Sequence, residues 1–382
     1  MYKKKIKILR IIGTLDPKYG GPSRAIIDNS MSLQKQGFDI DILTSDKKNS
    51  NYFKSKIIKV HNLGPGIGNY CFNLKLFFWL IKNRHNYDKF LIHGLWQFNT
   101  LVARLLLKKK YYVFSHGQLD PYFGSEKLKK IKKKIYWFFF EKENLLQANL
   151  LLLTSQKEKK SLQNTYLNTI GIKKKTVDYG ISKPEFNAKK GIQLFNKKFK
   201  KIKNKNFLIY LGRFHKKKGC DILLKSIKKI IDKKYQVYLL LAGSNNNYKD
   251  YLVKLSEKLN LNNYVIWSDF LLDDLKWFTL SKSDAMVLAS HGENFGVSLV
   301  EAMSLKKPTI TTNKVNIYDK INSTSSGIIT DDNVSSFTTG LIKFLNLSNK
   351  NKKKMGDKAF ECYNNYFNVI KLNNKLISIL KK

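Results

Sequence analysis

The chain has 382 residues, 43% of them hydrophobic, enough for two domains with full cores. Lys and Arg number 71 against 28 Asp and Glu, a formal charge of +43, spread over nearly every helix and loop rather than gathered in one tail. The apolar runs at 74–81 and 135–140 are too short for a membrane-spanning helix, and 6–12 is too short and too charged for a signal peptide.

Strands and helices alternate along the chain. Residues 6–12 read as a strand and 22–36 as a helix, with Pro22 near its first position and Gly37 past its end. Strands follow at 38–43 and 57–60, a helix at 71–84, a strand at 89–93, a helix at 98–107 and a strand at 111–115. A long helix at 126–148, a strand at 149–154, a helix at 156–166 and a short strand at 176–179 complete one doubly wound unit, assigned to 1–183. The alternation then breaks: Pro184, Gly191 and clustered Lys and Asn mark 184–205 as an inter-domain linker.

Alternation restarts with a strand at 207–211 and a helix at 221–231 capped by Asp221. Further elements at 236–242, 248–259, 264–267, 272–280, 284–289, 297–304, 308–312 and 334–346 fill a second domain, 206–360. A basic amphipathic helix within 361–382 is expected to pack back on the first domain. Two Rossmann-like units in series predict a cleft between facing sheet edges, with ligands beyond the carboxyl ends of the strands.

Three strand-end loops carry candidate chemistry. After the strand at 284–289 come Glu293, Asn294, Phe295 and Gly296, then a helix bearing Glu301. A helix start behind a glycine loop favours an anion, and two carboxylates beside it suit a ligand with both phosphates and hydroxyls, such as a nucleotide sugar. After 207–211 comes Gly212-Arg213-Phe214-His215-Lys216-Lys217-Lys218-Gly219, which fits neither the dinucleotide fingerprint nor a P-loop. There Arg213 and Lys218 could converge on a diphosphate, and an exposed basic loop is the plainer alternative. After the first strand, Gly20 and Gly21 let the backbone approach a ligand closely at a helix start, although such turns are common.

Taken together, Gly20-Gly21-Pro22-Ser23, His93-Gly94-Leu95-Trp96, Ser115-His116-Gly117-Gln118-Leu119-Asp120, Leu211-Gly212-Arg213-Phe214 with Lys218-Gly219, and His291 through Met303 resemble a family 4 glycosyltransferase of the GT-B fold, over about 6–345. The resemblance implies an α/β protein of two Rossmann-like domains and a retaining, metal-independent hexosyl transfer from a nucleotide sugar. It implies that Glu301 binds the donor ribose. Glu293 would contact the donor sugar, with the backbone of Asn294, Phe295 and Gly296. Arg213 and Lys218 would hold the diphosphate, and Gly21 N–H would close on it from the first domain. His116 would sit at the sugar, and His93 and Trp96 would shape the acceptor side. No D-x-D metal motif stands in a suitable loop, since Asp273-Asp274 reads as a helix start. One departure is Val177-Asp178-Tyr179-Gly180, where the family often has Pro-Asn-Gly.

Cys71, Cys220 and Cys362 lack metal-ligand spacing, which fits a reduced, cytoplasmic protein. For the charge, coding bias ranks first, an anionic membrane surface second and nucleic acid third. Residues 127–146 interleave lysines with Ile131, Ile135, Trp137, Phe138 and Phe139, which suits either a membrane surface or a domain helix with its aromatic end in the core. The function expected is extension of a surface polysaccharide or lipopolysaccharide on a lipid-linked acceptor at the inner membrane face, with no cofactor beyond the donor. The alternatives are a sugar-nucleotide epimerase or phosphorylase on the same fold, or a basic nucleic-acid-binding protein.

Overall fold

The computed structural model describes residues 5–19, 21–119, 127–165 and 167–381. It divides into two compact units, Met1–Gly180 with Val369–Lys382, and Ile181–Asn368.

Seven strands build the first unit: β1 Lys7–Ile12, β2 Asp39–Lys47, β3 Lys59–Gly64, β4 Lys89–His93, β5 Tyr111–Phe114, β6 Leu150–Leu153 and β7 Lys174–Thr176. They lie in the order β3-β2-β1-β4-β5-β6-β7, all parallel. Side chains alternate along each strand, so each face collects its own core. Leu9, Ile11, Ile92, Val113 and Leu151 pack with Leu76, Leu80 and Val102 from the helices Leu74–Asn83 and Phe98–Leu107. On the opposite face Ile8, Leu91, Tyr112 and Leu152 pack with Leu33 of the helix Gly21–Lys35 and with Leu376 and Leu380 of the helix Val369–Leu380. Burial on both faces explains why these strands read as near-continuous apolar runs.

The second unit holds β8 Phe207–Leu211, β9 Tyr238–Ala242, β10 Val265–Ser268, β11 Ala285–Leu288, β12 Thr309–Thr312 and β13 Gly327–Thr330. Their order is β10-β9-β8-β11-β12-β13, again parallel throughout. Each sheet reverses its winding once, between β1 and β4 and between β8 and β11. Strand-end loops diverge at such a reversal and leave a crevice for a ligand. Two parallel, doubly wound sheets, one in each unit, are the expected α/β architecture.

Several elements differ from expectation. Residues 184–205 are not a linker: they contain the helix Ala188–Lys198, capped by Asn187, whose Oδ1 accepts from Lys190 N at 3.0 Å. Gly191 does not break that helix. A Cβ there would lie 2.5 Å from Phe278 Cβ, so the glycine permits close packing on the helix Asp273–Lys282. Asp221 is not a cap either, because the helix Cys220–Asp232 is entered from Gly219 in a left-handed conformation (φ +63°), leaving Asp221 in the first turn. The long helix runs Lys127–Tyr136 and Lys142–Leu146 about a π-turn at Trp137–Glu141, and its expected start at Glu126 lies outside the described residues. The expected C-terminal helix is Val369–Leu380, packed in the first unit, and the helix Asn349–Tyr366 before it, in the second unit, is an addition. β13 and the helix Tyr318–Ser323 are additions to the expected pattern.

Candidate active site

In the first unit, β4 and β5 end in a stack of rings. His93 is 2% exposed and lies parallel to Phe114, centroids 5.0 Å apart. Its Nδ1 is 3.1 Å from His116 Nε2, so one of the two nitrogens donates to the other. Behind them Arg10 of β1 is 1% exposed, bonded to Asn29 Oδ1 and to the Ile26 carbonyl at 3.4 Å. Burial, and secondarily the Arg10 charge, brings His116 down to about 3; burial, Arg10 and His116 hold His93 well below its ordinary range. Both imidazoles are therefore neutral at physiological pH, suited to hydrogen bonding with hydroxyls and not to carrying charge.

His116 itself is strained, at φ +48°, next to Gly117 at φ +76°. Glu158, from the first turn of the helix Gln156–Ser161, keeps it there. Its carboxylate accepts from Ser115 Oγ at 2.5 Å, Gly117 N at 2.7 Å, and Thr154 N and Oγ1 both at 2.7 Å. Gln118 Oε1 accepts from Leu95 N, tying the loop after β5 to the loop after β4. Gly13, just past β1, sits so close to Gln97 that a Cβ would lie 2.9 Å from its Oε1. Gly21 opens the helix behind that loop.

In the second unit the loops after β8, β9 and β11 interlock through backbone. Lys217 O accepts from His291 N and from Ser290 Oγ, each at 2.8 Å. A Cβ on Gly219 would lie 2.0 Å from Ala289 O, and one on Gly243 would lie 2.0 Å from Gly212 O. Glu293 is pinned by a backbone bridge to Val315: its N donates to Lys314 O at 3.1 Å and its O accepts from Asn316 N at 2.9 Å. Its carboxylate forms an ion pair with Lys218 Nζ, and each side chain keeps about a fifth of its surface exposed (21% and 20%). Burial alone would raise the Glu293 pKa, but Lys218, Lys217 and Arg213 together hold it below the usual value.

Gly296, at φ +72°, starts the helix Val297–Ser304 with no side-chain cap, and a helix start of that kind favours an anion. Asn294 Oδ1 accepts from Asn316 Nδ2 at 3.3 Å, and Phe295 is buried against Phe367. Glu301, one turn on, is 3% exposed and takes Lys276 Nζ on Oε1 at 2.6 Å. Lys276 in turn lies 4.2 Å from the Trp277 ring centroid.

Residues 191–361 match the family model described as glycosyl transferases group 1. The second unit is a glycosyl transferases group 1 domain. The chain is accordingly a glycosyltransferase. Solved structures share the fold over nearly the whole length. Sucrose-phosphate synthase from Thermosynechococcus elongatus superposes with TM-score 0.78 at 17% identity, covering 99% of this chain and 98% of that one. Anabaena Alr3699/HepE in complex with UDP and glucose gives 0.73 at 18%, covering 98% and 99%. WaaG, a glycosyltransferase involved in lipopolysaccharide biosynthesis, gives 0.70 at 15%, covering 98% and 99%. No curated protein matches the sequence.

Within this glycosyltransferase, Arg213, Lys218 and Glu293 form one electrostatic cluster at the β8/β11 reversal. Asn294, Phe295 and Gly296 continue it to the helix start. Glu301 stands apart with Lys276, and His116 stands with His93 in the first unit. Gly20 and Asp120 lie outside the described residues. Four residues escaped sequence reasoning: Lys276, Glu158, Arg10 and Asn316. Only Glu158 left a signal, since Ser155-x-x-Glu158 is a capping box, and Ser155 Oγ does accept from Glu158 N at 3.0 Å.

Proposed function

We propose that the chain transfers a hexosyl group from a UDP- or GDP-linked sugar to a lipid-linked glycan acceptor, with retention and without a metal ion, in surface polysaccharide or lipopolysaccharide assembly. The site of work is then the inner face of the cytoplasmic membrane. The observation that carries the reading is the Lys218–Glu293 pair, set beside Arg213 and an uncapped helix start. A diphosphate entering there meets two cations and helix N–H groups, while Glu293 becomes an acceptor for sugar hydroxyls. As the bond from the sugar to phosphate breaks, the electron pair departs with the nucleotide, and Arg213 and Lys218 stabilise that growing charge. Glu301, oriented by Lys276, receives the ribose hydroxyls. His116 and His93, both neutral, are suited to hydrogen bonds with sugar hydroxyls.

The test is calorimetric titration with UDP- and GDP-hexoses and their free nucleotides, at moderate salt and with chelator present. Saturable binding of one donor class is expected, weakened about tenfold or more by Glu301→Ala. Equal, weak binding of every polyanion would mean that bulk charge drives association and would overturn the reading.

A further inference from the structure

Large apolar side chains are exposed unevenly over the first unit. The helices of one sheet face, Gly21–Lys35 and Val369–Leu380, expose only Ile370 among the described residues. On the other face the outer surfaces of the helices are apolar. Phe138 is 77% exposed, Phe139 62%, Phe78 63%, and Ile131 and Ile135 55% each. Leu76 and Leu80 bury the inner side of the helix Leu74–Asn83 in the same core that receives Trp137 and Leu145, so these outer surfaces belong to one layer.

The π-turn at Trp137–Glu141 explains the concentration. Trp137 and Glu141 are both turned inward, 5% and 0% exposed, and the wider turn between them leaves Phe138, Phe139 and Phe140 consecutive and outward. Folding gains nothing from three adjacent phenylalanines in water. An apolar patch of this kind on a protein surface marks an interaction site.

The chemistry around the patch selects the partner. Residues 127–146 carry seven lysines and two glutamates, and one of the two, Glu141, is buried. Lys132 and Lys134 are exposed beside Ile131 and Ile135. Apolar side chains ringed by cations match the interface of an anionic bilayer, where rings enter the acyl boundary and ammonium groups meet phosphates. No helix among the described residues is long and apolar enough to cross a membrane, so this contact would be peripheral. We infer that the helical layer around Phe138 and Phe139 docks the enzyme on an anionic phospholipid surface, with Phe78 as an outlying contact. The inference deepens the lipid-linked acceptor proposed above and rests on it for its biological sense.

The test is flotation with vesicles of phosphatidylcholine alone and with added phosphatidylglycerol, using the full chain. Wild type should float with the anionic vesicles and remain behind with the neutral ones. Phe138→Ser with Phe139→Ser should lower binding by about tenfold, and Lys132→Glu with Lys134→Glu should abolish the anionic preference. Unchanged circular dichroism and donor binding would show that the variants fold. Wild type failing to float, or floating undiminished after the Phe substitutions, would overturn the inference. So would light scattering that shows a wild-type dimer converted to monomer by those substitutions, since a second copy would then be the occupant. Donor binding without flotation would reject the surface and leave the enzymatic reading intact; flotation without donor binding would do the reverse.

Discussion

Lys218 and Glu293 neutralise one another, and in the function proposed above the donor enters that pair. Replacing Lys218 by Ala removes both the charge proposed to stabilise the departing phosphate and the first of the cations that hold the Glu293 pKa down. Turnover should fall about a hundredfold or more while the donor dissociation constant changes less, because the interaction is made chiefly in the transition state. Steady-state rates beside calorimetric affinities decide it: a loss confined to affinity would make Lys218 a binding residue only.

A second consequence at this scale concerns pH. His116 binds its proton near 6.5 when unfolded and only near 3 when folded, so the unfolded chain holds more protons between those values. Its contribution is therefore complete above pH 6.5 and lost as pH falls towards 3. Glu141 has the opposite sign. Burial raises it from 4.5 to about 7, so its contribution is complete below 4.5 and lost as pH rises to about 7. The two oppose each other between 4.5 and 6.5. Across that interval the melting temperature should rise with pH in Glu141→Gln, where only the His116 effect remains, and fall with pH in His116→Asn, where only the Glu141 effect remains. Identical slopes in wild type and both variants would mean that neither group is held in the protonation state described.

Elements show which parts of the fold were legible. Strands 89–93 and 207–211 and helices 98–107 and 297–304 have the expected limits, because each is an apolar run bounded by polar residues or glycine. The helix Asn349–Tyr366 was missed for the opposite reason. Half of its residues are Lys or Asn, and only Gly356, Ala359, Cys362 and Tyr363 are buried along it. Gly191 misled because a glycine that breaks a helix and one that lets two helices touch look alike until the partner is known. At the site, the loops at strand ends were readable from Gly212, Gly219 and Gly296, whereas Lys276 and Arg10 reach their partners only through the fold.

The glycine loops are also where an element should break most readily. Gly219→Ala must place a Cβ 2.0 Å from Ala289 O at φ +63°, so the loops after β8 and β11 have to part. A loss of about 2–4 kcal/mol in chemical denaturation is expected, with donor binding lost at the same time. Glu158→Gln keeps the shape but turns two acceptor oxygens facing four donor contacts into one oxygen and an amide. It should cost about 1–3 kcal/mol and lower turnover by releasing the strained His116. Turnover equal to wild type at a temperature where the variant is folded would show that His116 needs no such support.

At the scale of the whole molecule the chain leaves the first unit at Gly180 and re-enters it at Val369. Within the second unit these ends lie side by side, with Ile181 N donating to Phe367 O at 3.0 Å and Ile181 O accepting from Tyr363 Oη at 3.0 Å. The returning helix is no appendage. Leu376, Ile379 and Leu380 complete the core beneath Ile8, Leu91 and Tyr112, and Asn373 bonds Asn29, which holds Arg10.

That return dictates an order of assembly on the ribosome. Every strand of the first sheet is synthesised before the second unit begins, yet the lid of its core is translated after the second unit ends. The first unit must therefore wait, with one apolar face open, for about half the time of synthesis, and Asn29, which bonds Arg10, has no Asn373 to bond until that helix arrives. The half of the enzyme made first is the half finished last.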